Sequence, residues 1–241
     1  ETAVALQERG LKVTVVEMLP QVLPAMLDAD IAKTVQEELE KKGIRILTNK
    51  PVEEFLGKDK VTGIVAGGEQ ISADLFVSAF GVRANTQLAV DAGIATGETR
   101  LIKTNARMET NIKDVYAVGD CAESIHIVTQ KPVVQQLGTV AVRQGKVAGV
   151  NAAGGYALFL GVVGSSVTQL YDMQIGATGL TETAAKRAGI ETVAGTITSK
   201  TKADYYPGAL PIKIKLIAER ESQRIIGAQI IGGEEVTQRI N

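Results

Sequence analysis

DVYAVGDCAE, residues 114–123, is the stretch that decides how the rest of the chain is interpreted. An apolar, strand-like run stops there at Gly119, Asp120 and Cys121, the single cysteine of the sequence. A strand that ends in glycine and aspartate puts a carboxylate at the C-terminal edge of a sheet, where open α/β sheets bind their ligands. In that place a carboxylate accepts hydrogen bonds from sugar-like hydroxyl groups.

A predicted helix start follows sixteen residues after the cysteine, in LGTVAVRQG, which begins at Leu137. The first N–H groups of a helix have no intrahelical acceptor and carry a positive partial charge. Such a terminus stabilises negative charge on a bound electron carrier. Cys121 has no cationic neighbour in sequence and no CxxC mate, so a small buried thiol is the better interpretation. Asp120 is therefore the candidate for function.

LKVTVVE, residues 11–17, is a nearly continuous apolar run of the kind found in parallel strands buried on both faces. In dinucleotide-binding βαβ units an acidic residue ends the second strand, about 20 residues after a Gly-rich turn. Glu17 occupies that strand end, and the Gly-rich turn would precede Glu1. A glutamate that faces water or caps a neighbouring helix is the competing interpretation.

DLFVSAFG, residues 74–81, is predicted as another buried strand, after a β-meander of short strands between residues 52 and 79. Gly81 at the end of that strand would let the backbone approach a flat ligand, because no Cβ intervenes. A tight strand-to-helix turn is the alternative explanation for this glycine.

The last ninety or so residues are typical of an α+β domain with an antiparallel sheet. Apolar and cationic residues alternate at the start of a predicted hairpin over residues 212–231, and a helix is predicted to begin at Thr181. Tyr205 and Tyr206 precede a Pro–Gly pair in a chain with 4% aromatic residues. They either anchor a turn or supply a phenol as proton donor or anion stabiliser.

Composition limits the possible functions. The 241 residues are 45% hydrophobic and 22% charged, with a formal net charge of −1, so no nucleic acid partner and no membrane is predicted. One cysteine cannot form an internal disulfide, which fits a cytoplasmic setting. One histidine, His126, predicts no metal site and is interpreted as a polar loop residue. Both ends fall inside helical patterns, so we expect a piece of a longer protein.

Taken in order, these motifs resemble the pyridine nucleotide–disulfide oxidoreductases, flavoproteins with two dinucleotide-binding folds, and most of all the branch of coenzyme A disulfide reductases and NADH oxidases. The resemblance implies an α/β fold: an NAD(H)-binding domain at 1–99, the C-terminal part of an FAD-binding domain at 100–152, and an α+β dimerisation domain at 153–241. It rests on the following segments: VTVVEMLPQVLP, GVRANT, TNIKDVYAVGDCAE, VTQKPV, LGTVAVRQGKVAGVNAAGG, TGLTETAAKRAG and YYPGALPIKIKLI.

The resemblance also assigns roles to individual residues. Glu17 corresponds to the ribose-binding acid and favours NADH over NADPH, and Gly81 to the glycine beside the nicotinamide cofactor. Tyr206, or else Tyr205, corresponds to an interface tyrosine that projects towards the other subunit's active site and stabilises a departing thiolate. Cys121 corresponds to a position beside the flavin chain that is not the redox cysteine. The residues implied in FAD binding are Gly119, Asp120, Leu137, Gly138 and Thr139.

The implied activity is hydride transfer from NADH, or NADPH, to FAD in a homodimer, and from there to a coenzyme A disulfide, another disulfide or persulfide, or oxygen. The redox cysteine of the family would lie before Glu1. NADH peroxidase and ferredoxin-type reductase are the rival enzymes, although the TGLTE and YYPG segments do not fit the last domain of the latter. A non-catalytic nucleotide-binding and dimerisation module is the alternative from a different class.

Overall fold

A computed structural model describes residues 1–203 and 205–240 of the chain. They form two compact units: Glu1–Ala79 together with Ser165–Asn241, and Phe80–Gly164. The domain limits expected from the sequence, at residues 99 and 152, come from the family resemblance and remain a prediction.

The first unit begins with a short parallel βαβ arrangement. β1 and β2 pair in parallel, with Val15 opposite Ile46, so the predicted strand at residues 11–17 is present but short. The helix between them buries Ile31 and Val35 completely, and Gly43 follows its end with a φ of +90°, as expected for a glycine C-cap. The elements are α1 (Thr2–Glu8), β1 (Thr14–Val16), α2 (Ala29–Lys41) and β2 (Arg45–Leu47).

The predicted β-meander is confirmed as a three-stranded antiparallel sheet in the order β3-β4-β5. Gly67 and Gly68 connect its last two strands, and both have positive φ angles, which a two-residue hairpin turn favours. The strands are β3 (Val52–Leu56), β4 (Gly63–Ala66) and β5 (Glu69–Ser72).

The prediction of a buried strand at residues 74–81 is wrong for this chain. The segment is assigned no strand, and the side chains of Leu75, Val77 and Phe80 are 61%, 56% and 71% exposed. A parallel strand buried on both faces needs neighbours on its edges and cover on its faces. The described residues form no sheet pairing with this segment and leave most of its side chains exposed, so Gly81 follows a segment without regular secondary structure rather than a strand of a sheet.

The remainder of the first unit is an antiparallel sheet in the order β10-β11-β12-β9-β8 with two helices. The predicted hairpin at residues 212–231 is confirmed as β11 and β12, and the predicted helix start is confirmed by a hydrogen bond from the Ala184 amide to Thr181 Oγ1 of 3.0 Å. The elements are β8 (Ser166–Leu170), β9 (Met173–Gly179), α5 (Glu182–Arg187), β10 (Thr192–Lys200), β11 (Pro211–Glu219), β12 (Ile225–Gly232) and α6 (Val236–Arg239).

Helix α2 and one face of this antiparallel sheet share a hydrophobic core. Ile31 and Val35 from the helix pack in one cluster with Ile175 of β9 and Ile231 of β12. The opposite face of the sheet packs against α6 through a separate cluster that includes Ile230. The first unit is therefore built around a helix that serves both the parallel strands and the antiparallel sheet.

A buried carboxylate reinforces the contact between α2 and the sheet. Asp28, at the N-cap of α2, is 6% exposed, and its Oδ2 accepts hydrogen bonds from Gln229 Nε2 at 2.7 Å and from the Glu182 amide at 3.1 Å. Its own amide donates to Gln229 Oε1 at 2.8 Å, and Lys215 Nζ lies 3.3 Å from Oδ2. Asp28 thus caps α5, which lies more than 150 residues away in sequence.

The second unit contains a hydrophobic cluster that includes Met108, Val140 and Phe159. The predicted strand at residues 115–118 is wrong as a sheet strand, since only Tyr116 forms a bridge, with Glu109. The backbone there is extended, but the described part of the chain provides no parallel neighbour. The elements are α3 (Gln87–Asp91), a 3₁₀ turn (Gly119–Cys121), β6 (Ser124–Ile125), β7 (Pro132–Val133) and α4 (Gly138–Ala152).

His126 is buried, contrary to the expectation of a polar loop residue. It is 6% exposed and forms a parallel bridge with Val162, and its Nδ1 accepts a hydrogen bond from the Thr129 amide at 3.4 Å. Burial lowers the pKa of His126 from its ordinary value of 6.5, and a backbone hydrogen bond to Val163 opposes part of this shift. The imidazole is therefore neutral in the folded protein at neutral pH.

No helix among residues 1–203 and 205–240 has the length and apolar character that crossing a membrane requires.

We expect Asp28→Ala to lower the free energy of unfolding of the whole protein by about 3 to 5 kcal/mol, because it leaves buried donors without their acceptor and removes one of the three carboxylates around the buried ammonium group of Lys215. Urea denaturation followed by circular dichroism measures the change. Asp59→Ala, in an exposed loop, is the control and should stay within about 0.5 kcal/mol of the parent. A loss of less than about 1 kcal/mol in Asp28→Ala would show that the network contributes little.

We expect acid to destabilise the second unit through His126. The folded pKa lies below the unfolded one, so between these two values the unfolded state binds more protons and stability falls as the pH falls. Urea midpoints measured at pH 7.5 and 5.0 should therefore differ more in the parent than in His126→Asn, which keeps an acceptor but does not titrate. Because this is the only histidine in the sequence, an equal pH dependence in both proteins contradicts the prediction.

Candidate functional site

The turn at Gly119–Cys121 is held against α4 by a buried glutamine. Gly119 has a φ of +77°, and its amide donates to Gln144 Oε1 at 2.7 Å. Gln144 is fully buried, and its Nε2 donates to Ser124 Oγ at 3.0 Å. Both ends of the glutamine amide are satisfied, so the turn is fixed at its first residue.

Asp120 follows that glycine and is exposed. Its backbone carbonyl accepts a hydrogen bond from Gln136 Nε2 at 3.2 Å, whereas its carboxylate has no hydrogen-bond or ion-pair partner among the described residues. The backbone is thus anchored while both carboxylate oxygens are available to a ligand. Such a carboxylate accepts hydrogen bonds from hydroxyl groups.

The N-terminus of α4 lies beside this turn. Leu137 is the N-cap residue and provides no side-chain cap, and the first turn contains no acidic residue. Gly138 and Thr139 are exposed, and within the described ranges no acceptor bonds to their amides. The structure therefore brings the predicted residues Asp120 and Leu137–Thr139 together, with a free carboxylate next to an uncapped, positively polarised helix end.

Gln144 is the residue that the sequence interpretation missed. It lies four residues after Val140 and four before Ala148, and all three are on the buried face of α4. A glutamine at an apolar position of a helical repeat signals a buried amide that needs partners. That signal was present in the sequence, but it does not say which turn the amide would hold.

Cys121 is half-buried, and its Sγ donates to the Val118 carbonyl at 3.4 Å. The side chain packs against the hydrophobic cluster of the second unit. This is the environment of a small hydrophobic residue. Its interpretation as a bystander remains a prediction, and the environment supports it.

Glu17 lies at the carboxyl end of β1, as predicted. Its amide donates to the Leu47 carbonyl at 2.8 Å, and its Oε1 accepts from the Leu19 amide at 2.9 Å. The carboxylate therefore stabilises the turn that follows the strand, while its second oxygen has no partner in the part of the chain that the structure describes. One free oxygen is sufficient for a hydroxyl donor.

Gly81 has a φ of +87°, and a Cβ added there would meet no atom within 4 Å. The glycine is thus required by its backbone conformation, and no close approach explains it within the described residues. Its predicted place beside a nicotinamide cofactor remains a prediction.

Tyr205 and Tyr206 lie in the loop that joins β10 and β11. They are 82% and 55% exposed, with ring centroids 4.8 Å apart. A tyrosine that anchors a turn buries its ring against the turn, and these rings do not, so the purely structural interpretation of the pair lacks support. Both phenols are accessible to a partner or ligand.

Residues 1–203 and 205–240 contain no group of three or more histidine, cysteine, aspartate or glutamate side chains that could hold a metal ion. The candidate site is therefore an arrangement of one carboxylate, one helix N-terminus and backbone donors.

The chain matches two models of known families. Residues 1–145 match the pyridine nucleotide-disulphide oxidoreductase family, and residues 166–241 match the dimerisation domain of the same family. The second match agrees with the α+β domain that the sequence predicted at the end of the chain.

Individual relatives agree with these matches. An NADH oxidase of Methanocaldococcus jannaschii is 46% identical over all 241 residues, and an NAD(P)H sulfur oxidoreductase (CoA-dependent) of Pyrococcus furiosus is 36% identical over 97% of this chain. This chain covers 53% of each, so it spans about half the length of these curated relatives.

Among solved structures, the NAD-dependent persulfide reductase of A. fulgidus is 40% identical, with a TM-score of 0.96 over 99% of this chain and 45% of that one. Other solved relatives include a FAD-dependent enzyme and an oxidase bound to NADH. With a family model that matches 145 of its 241 residues, and with the predicted turn and helix end adjoining each other, this chain belongs to the pyridine nucleotide-disulphide oxidoreductase family.

Proposed function

We propose that the whole protein is a homodimeric, FAD-dependent NAD(P)H oxidoreductase that passes electrons from NADH to a sulfur substrate or to oxygen. The observation that carries the proposal is the free carboxylate of Asp120 beside the uncapped N-terminus of α4, on a turn fixed by Gln144. The family match and the names of the relatives support the same reaction class.

The residues present fit FAD chemically. A ribityl chain offers hydroxyl donors to the Asp120 carboxylate, and the exposed amides of Gly138 and Thr139 suit an anionic or electron-rich group. When bound, FAD supplies the ability to accept a hydride and release electrons singly or in pairs. The protein's own contribution is to bind, to orient, and to stabilise negative charge with the dipole of α4.

The nicotinamide cofactor is assigned to the end of β1 in the first unit. The free oxygen of Glu17 accepts a hydrogen bond from a ribose hydroxyl, while its negative charge repels the additional 2′-phosphate of NADPH. Glu17 thus favours NADH. Gly81 is assigned beside the same cofactor on the family resemblance alone.

For the electron acceptor, the names of the relatives point to two chemistries, oxygen and sulfur. The exposed phenols favour sulfur, because a tyrosine O–H donates a hydrogen bond that stabilises a departing thiolate. Tyr206, or Tyr205, is assigned this role at the active site of the other subunit. Anaerobic assays with coenzyme A disulfide or with a persulfide, compared with oxygen consumption in air, identify the acceptor.

The non-catalytic module remains the rival from another class, and flavin content separates the two. The purified whole protein should absorb at about 450 nm, as flavins do, and should bleach when NADH is added. A colourless protein that also fails to bind added FAD would support the module instead.

We expect Asp120→Ala to weaken FAD binding by about ten- to a hundredfold, because hydrogen bonds to a charged group contribute about 1.5 to 3 kcal/mol. Flavin retained per subunit after gel filtration, and titration of the apoprotein with FAD, measure the loss. Asp91→Ala, at the end of α3, is the matched control in the same unit and should retain flavin. Full flavin occupancy and unchanged turnover in Asp120→Ala would overturn the assignment.

We expect Glu17→Ala to raise the KM for NADH by about tenfold, through the lost hydrogen bond to the ribose. The KM for NADPH should fall or stay constant, because the repulsion of its 2′-phosphate is removed as well. Steady-state kinetics with both cofactors measure the ratio. Glu53→Ala, on exposed β3, is the control, and an equal rise in both KM values would contradict the role.

A further inference from the structure

Strand β11 presents two lysines to helix α2. Alternation along the strand puts Lys213 and Lys215 on one face, and both contact α2 or the residue that begins it. Ile212 comes directly before Lys213 in the strand and packs instead in the cluster with α6. The alternating sequence at the start of β11 therefore places a polar seam under the helix.

The contacts in this seam are specific. Lys215 is almost completely buried, and its Nζ lies 2.8 Å from Asp30 Oδ1, 3.3 Å from Asp28 Oδ2 and 2.6 Å from Glu182 Oε2. Lys213 Nζ donates to Thr34 Oγ1 at 3.2 Å. We use "the α2–β11 seam" for Asp30 and Thr34 of α2 with Lys213 and Lys215 of β11.

The spacing of the two partners matches. Asp30 and Thr34 are one helical turn apart, about 6 Å along the axis, and Lys213 and Lys215 are about 7 Å apart along the strand. The pairs run in opposite directions, since the earlier helix residue contacts the later lysine. The two contacts therefore fix the position of the strand along the helix.

A slip of the strand by two residues would break the match. A slip that carried Lys215 towards Thr34 would put a buried ammonium group against a threonine hydroxyl and leave Asp28 without its cation, and unpaired buried charges are strongly unfavourable. Apolar packing between helix and sheet is much less sensitive to register. Buried ion pairs are best attested as devices that fix register rather than as sources of stability.

The electrostatics keep the seam charged. Burial alone lowers the pKa of Lys215, but the hydrogen bonds to Asp30 and Glu182 and the charge of Asp28 outweigh it and raise the pKa above its ordinary value. Hydrogen bonding and charge from Lys215 likewise outweigh burial at Asp30 and lower the pKa of its carboxyl. Near neutral pH both partners are ionised.

β11, which these contacts hold, directly follows the loop that contains Tyr205 and Tyr206. β11 begins at Pro211 and pairs along its whole length with β10, whose last residue Lys200 lies opposite it. Hydrogen bonds between Thr201 and Leu210 close this hairpin. β10 is an edge strand and largely exposed, so the hairpin is held through β11 and, at its end, by Arg239 of α6, which donates to the Thr201 carbonyl at 2.8 Å.

We propose that the α2–β11 seam is a register lock that sets how far the Tyr205–Tyr206 loop projects, which makes Lys213 and Lys215 positioning residues for the electron-acceptor half of the reaction. This inference rests on the proposed function, because it takes the tyrosines to act at the acceptor. The seam itself does not touch substrate or cofactor.

The experiment uses the whole flavin-loaded protein and the variants Lys215→Met and Lys213→Met, which keep side-chain length and remove charge. Stopped-flow absorbance measures flavin reduction by NADH and, separately, reoxidation by coenzyme A disulfide or by oxygen, whichever the parent uses. Amide hydrogen exchange is followed in residues 201–210 and in β12. Lys33→Met, on the exposed face of α2, is the matched control, and Tyr206→Phe is the reference.

We expect both seam variants to slow reoxidation by about tenfold or more, since a misplacement of about 1 Å costs up to about a hundredfold in rate. Flavin reduction should be unchanged, exchange should be faster in residues 201–210, and β12 should exchange as in the parent. Lys213 bonds a hydroxyl and no carboxylate among the residues that the structure describes, so Lys213→Met keeps the test valid if Lys215→Met fails to fold.

The results that overturn the register lock differ from those that overturn the function on which it rests. Unchanged exchange of residues 201–210 in the folded seam variants overturns the register lock, and so does a normal reoxidation rate in these variants while Tyr206→Phe is slow. An unchanged reoxidation rate in Tyr206→Phe instead overturns the role proposed for the tyrosine. Equal slowing of both half-reactions would show that the lysines only stabilise the fold.

Discussion

The carboxylate of Asp28 lies where two helices begin, and the first unit is arranged around it. As N-cap residue it starts α2, as an acceptor of the Glu182 amide it caps α5, and it pairs with a buried lysine of β11. One side chain therefore joins the parallel βαβ arrangement to the antiparallel sheet, and the helix that follows it becomes the common support of Glu17 and the tyrosine loop.

In the second unit, backbone N–H donors at the start of α4 stay free of protein acceptors. Helix N-termini are usually satisfied by a serine, threonine, aspartate or asparagine side chain, yet the N-cap residue of α4, Leu137, provides no such side chain. The orphan amides of Gly138 and Thr139 remain available because the helix is stabilised elsewhere, through Gln144 and its apolar face. The anchoring of the glycine turn by this glutamine and the freedom of the helix end thus belong to one arrangement.

Sequence patterns predicted what depends on local chemistry. The amphipathic α2, the meander, the β11–β12 hairpin and the capped α5 were all predicted, because periodicity and turn residues determine them. The segments at 74–81 and 115–118 were predicted as strands on their apolar composition alone, but a strand also needs neighbours. At the site, the juxtaposition of Asp120 with α4 was expected, whereas the contribution of Gln144 depends on a contact over 25 residues that no local pattern specifies.

Asp28 and Asp120 show how burial assigns opposite roles to the same residue type. A carboxylate removed from water must be compensated by donors and cations, and Asp28 has them from Gln229 of β12, from the first amide of α5 and from Lys215. Asp120 is exposed, so water satisfies its charge and no protein partner is required. A ligand that brings hydroxyl groups replaces only water there, without breaking a protein contact. Asp28 is therefore held by protein contacts and stabilises the fold, whereas the carboxylate of Asp120 is free to bind a cofactor.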